Sequence, residues 1–229
     1  MKDNLVDKAV EITDAAKKES IVLRIMGALA VRIHSADLVP LHKKLGRELT
    51  DIDLIGYRRQ EREITAFLER LGYHELKAGV TPGLYASRKI YLTDKGDHID
   101  VFFDKIEMCH SIDFRGRLEA DYPTIPLAEL VLEKLQIVKI NEKDIKDMII
   151  LLIGHELGKE RDQIDAWTIS DLLSRDWCFY YTFTTNLKKV KEYSQKYPEL
   201  TKDQTNRIAD RIDRFLAMIE EAPKTMAWK

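Results

Sequence analysis

The chain has 229 residues, of which 45% are apolar and 33% are charged. Its 37 lysines and arginines nearly balance its 39 aspartates and glutamates, so the formal net charge is −2. This composition is typical of a globular protein and excludes collagen-like, low-complexity and largely disordered chains. The balanced charge argues against a general polyanion-binding protein. The two cysteines, Cys109 and Cys178, are too few for a disulfide framework or a four-thiolate zinc site.

Membrane and export signals are not recognisable in the sequence. No stretch reaches the roughly 18–20 consecutive apolar residues that a membrane-spanning helix needs. The N-terminal segment mixes acidic and basic side chains and lacks the apolar core of a signal peptide. We therefore expect a cytoplasmic protein, with neither a membrane nor DNA among its partners.

The first half of the chain alternates between the apolar periodicities of helices and strands. The predicted helices cover residues 4–18, 28–36 and 58–71, and the predicted strands cover 21–27, 51–56, 73–78, 88–92 and 98–103. A basic connection is predicted over 42–50, a hairpin connection over 93–97, and turns at Gly79, Pro82-Gly83 and Gly96.

The second half of the chain is helical in character after Pro126. Predicted helices cover residues 127–140, 143–157, 164–177, 186–197 and 203–221. The change of pattern predicts an α+β domain over 1–125 and a helical region over 126–229.

Three aspartates lie among the apolar strands of the first half. Asp51 and Asp53 open the strand over 51–56, and Asp100 lies within the strand over 98–103. Alternate residues of a strand point to the same face, so Asp51 and Asp53 project together. If the two strands are neighbours, the three carboxylates converge, and they repel one another unless a cation lies between them.

Magnesium is the cation that suits such a group of carboxylates, because it is a hard ion that prefers oxygen ligands. Two ions about 3.5–4 Å apart would hold both the attacking and the leaving oxygens of a phosphoryl or nucleotidyl transfer. We predict a two-ion Mg²⁺ site that Mn²⁺ can also occupy. Taken alone, the Asp-x-Asp pair is better explained as a solvated strand face, but its apolar surroundings and the third aspartate reverse that preference in favour of the metal site.

Gly27 ends a predicted strand, and Ala28 opens the predicted helix that follows. A glycine at such a corner lets backbone N–H groups and the helix N-terminus approach a phosphate. The alternative interpretation is a strand–helix corner that simply requires a small residue.

Together these motifs carry a family resemblance. A strand followed by MGALAV, then GRELTDIDL, then HIDVFF resembles the nucleotidyltransferase superfamily with the DNA polymerase β-like fold. The resemblance covers about residues 20–150 and is strongest to small prokaryotic members, such as antibiotic nucleotidyltransferases and AbiEii-type toxins. It implies an α+β fold with a mixed sheet flanked by helices, followed by a C-terminal helical region.

The resemblance also implies roles for individual residues. Asp51 and Asp53 would be metal ligands that also meet the nucleotide phosphates. Asp100 would hold the second metal and orient or help deprotonate the acceptor hydroxyl. Gly27 would cradle the phosphates. Ala28 departs from the Gly-Ser form of the motif and lacks its hydroxyl, as Gly-Gly members do.

Three further positions are candidates for nucleotide binding. Arg47 could contact the triphosphate, or it could be an exposed arginine in a basic loop. Lys134 resembles a helix lysine that faces the nucleotide in this superfamily, and the alternative is a surface lysine with a buried stem. Lys143-Asp144 resembles a basic–acidic pair of AbiEii-type relatives.

The predicted activity is transfer of a nucleoside monophosphate from Mg-NTP to an acceptor, with release of pyrophosphate. The acceptor is a small molecule, a protein or an RNA. One alternative is a catalytically silent nucleotidyltransferase fold that acts as a nucleotide-binding or protein-interaction module, as an antitoxin would. A metal-dependent phosphohydrolase is a third interpretation, disfavoured because no histidine cluster accompanies the aspartates.

Overall fold

The computed structural model describes residues 4–76, 88–94, 96–226 and 228. The chain forms two compact units. The first, here called the sheet unit, comprises Met1–Ile33, Leu49–Glu107 and Ser111–Pro126. The second, here called the helical unit, comprises His34–Glu48, Met108–His110 and Leu127–Lys229.

The helices and strands of the first half follow the predicted order. The helices are α1 (Asn4–Lys18), α2 (Gly27–His34), α3 (Val39–Lys44) and α4 (Glu61–Arg70), with 3-10 turns at Ala36–Leu38 and Arg58–Gln60. The strands are β1 (Leu23–Met26), β2 (Ile52–Gly56), β3 (His74–Glu75), β4 (Arg88–Leu92), β5 (His98–Phe103), β6 (Lys105–Glu107) and β7 (Ser111–Asp113).

The described strands form one mixed sheet in the order β1–β2–β5–β4–β3, with β6 pairing to β5 and β7 to β6. Strands β2 and β5 are parallel, and the other pairs are antiparallel. Strand β5 therefore has one parallel neighbour, β2, and two antiparallel ones, β4 and β6. The predicted α+β class and the mixed sheet flanked by helices are confirmed.

The sheet has an apolar face that forms the core of its unit. Alternate residues of β2 and β5 supply this face, including the fully buried Leu54 and Val101. Helix α4 packs on the same face, because its Ile64 lies against Gly56 of β2. The remaining alternate positions of β2 and β5, which include the aspartates, face the other way.

The helical unit contains the second half of the chain. Its helices are α5 (Leu127–Leu135), α6 (Glu142–Gly154), α7 (Ala166–Leu173), α8 (Trp177–Ser194) and α9 (Lys202–Glu221). Polar residues begin four of them: the side chains of Asn141, Asp165, Asp176 and Thr201 accept backbone N–H hydrogen bonds. Buried side chains such as Met148, Phe183 and Phe215 fill the core of this unit.

Several parts of the predicted secondary structure are wrong. Helix α8 begins at Trp177, nine residues before the helix predicted over 186–197, and the helix predicted over 164–177 ends at Leu173. The first three residues of the basic connection over 42–50 belong to α3, because Pro40 lies in the first turn of that helix, where its missing N–H removes no hydrogen bond. Strands β6 and β7 were not predicted, since three-residue strands carry too little periodicity. The hairpin connection over 93–97 is confirmed by the bond from the Thr93 amide to the Asp97 carbonyl oxygen, 2.9 Å.

The domain prediction and the structure divide the chain at nearly the same place, after Pro126. The structure also groups residues 34–48 and 108–110 with the helical unit. The turns predicted at Gly79 and Pro82-Gly83, and the end of the strand predicted over 73–78, lie outside the described residues. Among the residues that the structure describes, no helix is both long and apolar enough to cross a membrane.

We expect Gly56→Ala to destabilise the sheet unit by about 1–3 kcal/mol, the usual cost of overpacking. A Cβ at this position would lie 2.7 Å from Cδ1 of Ile64 and 2.9 Å from the backbone oxygen of Val22. Urea unfolding measures the effect, and Ser111→Ala, on an exposed strand position, is the control. A Gly56→Ala variant as stable as the control would contradict this packing.

Candidate functional site

Asp53 and Asp100 lie side by side in the sheet. Asp53 of β2 pairs with Asp100 of β5 in a parallel ladder. Neighbouring strands lie about 4.8 Å apart, and paired residues project to the same face. The strand order therefore brings two of the three predicted carboxylates together on one face.

Asp51 lies one residue before β2 and two before Asp53. Its carboxylate accepts a hydrogen bond of 2.6 Å from the hydroxyl of Thr50. Asp51 is expected on the same face as Asp53 because the two are two residues apart along an extended chain. Asp53 and Asp100 share that face because they are paired across neighbouring strands. The metal-binding roles predicted for these residues stay predictions.

Gly27 lies directly against the carboxylate of Asp53. Strand β1 ends at Met26, which pairs with Asp53, and α2 starts at the next residue. Gly27 has a φ of +67°, and a Cβ there would lie 2.6 Å from Oδ2 of Asp53. The corner thus requires glycine for its backbone conformation and for its close approach to the sheet face that carries Asp53 and Asp100, here called the acidic face. Ala28 follows it in the first turn of α2.

The carboxylate of Asp100 is buried and paired with an arginine that the sequence analysis missed. The guanidinium of Arg88 donates to Oδ2 of Asp100, and its Cζ lies 5.5 Å from the centre of the Phe102 ring. Nε2 of His98 lies 3.8 Å from the same Oδ2. The predicted hairpin was the signal for Arg88, because a hairpin over 93–97 pairs Ile90 with Asp100 and so places Arg88 diagonally across from it.

The ligand chemistry of this face suits magnesium. Carboxylate oxygens are the donors that Mg²⁺ prefers. Oδ1 of Asp100 is buried and has no hydrogen-bond partner among the described residues. Within those same residues, however, no group of three or more His, Cys, Asp or Glu side chains stands ready to hold a metal ion. The described part of this face therefore offers a pair of carboxylates, Asp53 and Asp100, rather than a three-ligand cluster.

A second cluster of charges lies inside the helical unit. Its members, here called the buried ionic cluster, are Arg47, Glu133, Lys134, Asp144 and Asp147. Arg47 donates to Asp147 through Nε, 2.6 Å from Oδ1, and Nη2, 2.9 Å from Oδ2. Nζ of Lys134 lies 3.1 Å from Glu133, 3.4 Å from Asp147 and 3.7 Å from Asp144.

Burial and mutual attraction set the proton affinities in this cluster. Desolvation acts to lower the pKa of Lys134, but the carboxylates of Glu133, Asp147 and Asp144 outweigh it and raise that pKa above the usual value for lysine. Burial raises the pKa of Asp144, against the opposing effect of Lys134. Lys134 is therefore held in its charged form.

The cluster excludes the surface alternative for Arg47 and Lys134. Both residues are buried, at 8% and 6% exposure, so neither an exposed loop arginine nor a surface lysine describes them. Asp144 belongs to the cluster, whereas Lys143 is exposed. Asp147 was missed, although a carboxylate directly before the apolar run at 148–153 was a signal. Nucleotide contact by Arg47, Lys134 or Lys143-Asp144 stays a prediction.

Comparison with known proteins gives matches in structure alone. No protein-family model matches the sequence, and no curated protein is significantly similar to it. The fold is similar to that of the antibiotic-resistance factor ANT(2'')-Ia in solution, with 10% identity and a TM-score of 0.43 over 86% of this chain and 98% of the other. It is also similar to an antigenic nucleotidyltransferase-like protein from Paracoccidioides brasiliensis, with 13% identity and a TM-score of 0.41 over 98% of this chain and 96% of the other.

We expect Gly27→Ala to weaken Mn²⁺ binding at least about tenfold, equivalent to about 1.4 kcal/mol, because the new Cβ displaces the Asp53 carboxylate. The matched control is Gly72→Ala, since Gly72 has a φ of +85° and open space around its Cβ position. Both variants should lose about 1–2 kcal/mol of stability from the left-handed backbone. Equal Mn²⁺ affinities, measured by calorimetric titration, would show that the glycine corner is only structural.

We expect Arg47→Gln to destabilise the helical unit by about 3–5 kcal/mol, because it leaves Asp147 buried without its bidentate partner. The control is Arg175→Gln, which breaks an exposed ion pair with Asp171 and should change stability little. Urea unfolding compares the two. Similar effects would mean that Asp147 is compensated without Arg47.

Proposed function

We propose that this chain is a metal-dependent nucleotidyltransferase that transfers a nucleoside monophosphate from Mg-NTP to an acceptor hydroxyl. One observation carries the proposal: Asp53 and Asp100 are in register on neighbouring parallel strands, with Gly27 pressed against Asp53 at the start of a helix. This is a carboxylate pair beside a backbone corner that a phosphate can approach.

In the proposed reaction the acceptor oxygen bonds to the α-phosphorus of the nucleotide. The bond from that phosphorus to the β-phosphate oxygen breaks, and pyrophosphate leaves with the electron pair. The acceptor hydroxyl proton passes to Asp100 or to water. Bound Mg²⁺ would supply neutralisation of the phosphate charge.

The residues of the acidic face would act mainly by positioning. Asp51, Asp53 and Asp100 would hold the metal, and Asp100 would also orient the acceptor hydroxyl. Gly27 would leave room for the phosphates at the N-terminus of α2, where backbone N–H groups and the helix dipole favour negative charge. No covalent intermediate is required, because orientation and charge stabilisation supply the rate enhancement.

A catalytically silent member of the same superfamily is the second candidate. It is favoured by the Arg88–Asp100 ion pair, which provides Asp100 with a counter-charge from the protein itself. Ala28 also lacks the hydroxyl of the Gly-Ser form. Such a module would bind a nucleotide or a protein without transferring anything.

One experiment separates the two candidates. The chain is incubated with Mg²⁺, each α-labelled NTP in turn and a cell extract, and transfer of the label to small molecules, RNA or protein is measured. We expect labelled product with the unmodified chain and a loss of at least about 10³-fold with Asp53→Asn or Asp100→Asn, as for loss of a main charge-stabilising group. Asp113→Asn, at an exposed strand position, is the control and should stay active. Nucleotide binding without any labelled product would favour the silent module.

A further inference from the structure

The ion pair between Arg88 and Asp100 joins a partly exposed cation to a buried anion. The Asp100 side chain is 5% exposed, whereas that of Arg88 is 33% exposed. Asp100 lies on β5, which is hydrogen-bonded to β2 on one side and β4 on the other. Rotation about the bonds of the long Arg88 side chain can therefore carry the guanidinium towards solvent, whereas the short side chain of Asp100 projects from a strand that is held on both sides.

Asp100 needs a counter-charge because an isolated buried carboxylate is costly. Among the described residues, the basic side chains within ion-pair distance of it are Arg88 and His98, and Nε2 of His98 lies 3.8 Å away. Arg88 is therefore its principal counter-charge when no metal is bound.

The ion pair leaves one polar atom of Arg88 and one of Asp100 without a hydrogen bond among the described residues. Nε of Arg88 is buried and has no hydrogen-bond partner among the described residues, and the same holds for Oδ1 of Asp100. A fork-to-fork pair would satisfy both atoms. The guanidinium thus compensates the charge of Asp100 without using the full coordinating capacity of the carboxylate, which a metal ion would engage.

We propose that Arg88 is a resident counter-cation that a divalent metal must displace from Asp100. The inference rests on the proposed function, because it assigns regulation to the same acidic face. Without metal, Arg88 keeps the buried carboxylate compensated. On metal binding the guanidinium leaves, and the energy of the broken pair lowers the apparent metal affinity, as for any site whose competent state is partly populated.

The test is titration of the full chain with Mn²⁺ alone, by calorimetry and by the loss of the free-ion electron paramagnetic resonance signal. We expect Arg88→Gln to bind Mn²⁺ about 5- to 20-fold more tightly than the unmodified chain, since the competitor is gone. Without metal this variant should be less stable, and Mn²⁺ should raise its melting temperature more than that of the unmodified chain.

The matched control is Lys89→Gln. It removes the same charge from the next residue of β4, whose Nζ pairs with Glu61 and Glu75 on the opposite face. Its Mn²⁺ affinity should change less than twofold. Arg88→Lys provides a second variant in case Arg88→Gln does not fold. It keeps the positive charge but loses the planar guanidinium, so its Mn²⁺ affinity should lie between that of the unmodified chain and that of Arg88→Gln.

The outcomes separate this inference from the proposed function. If Mn²⁺ binding depends on Asp53 and Asp100 but Arg88→Gln binds no more tightly than Lys89→Gln, the displacement is wrong and the metal site stands. If Mn²⁺ binds the unmodified chain but Asp53→Asn and Asp100→Asn leave its affinity unchanged, the metal site itself is wrong. If neither the unmodified chain nor Arg88→Gln binds Mn²⁺, both are overturned.

Discussion

Two carboxylates stand side by side in neighbouring parallel strands, and this arrangement dictates the charges around them. The pairing of β2 with β5 fixes Asp53 beside Asp100 on one face of the sheet. Like charges at this spacing oppose each other unless a cation intervenes. In the structure Arg88, on the adjoining strand β4, supplies a positive charge beside Asp100. Under the proposed function a divalent ion would supply that charge during nucleotidyl transfer.

The helical unit solves a similar problem in a different way. Its buried ionic cluster combines three carboxylates with Arg47 and Lys134 inside a core of apolar helices. A buried ion pair gives little net stability relative to apolar side chains, yet it is very sensitive to loss of one member. The cluster therefore orders its side chains more than it strengthens the unit.

Local periodicity predicted most of the helices and strands, but the contacts between side chains that are distant in the sequence were mostly missed. Strands β4 and β5 have the predicted bounds, and alternation within them led to the acidic face. Helix α3 was missed because a proline that can end one helix also suits the first turn of another. The bidentate pair of Arg47 and Asp147 joins residues 100 positions apart, so no local pattern could reveal it.

The central position of β5 has a consequence for how the acidic face can respond to a ligand. Hydrogen bonds on both edges hold this strand in the part of the sheet that opens only when the sheet itself comes apart. Adaptation to different bound molecules must then come from the outer strands and from long side chains. Under the proposed function, Asp53 and Asp100 would keep their positions while long side chains such as Arg88 rearrange around the bound molecule.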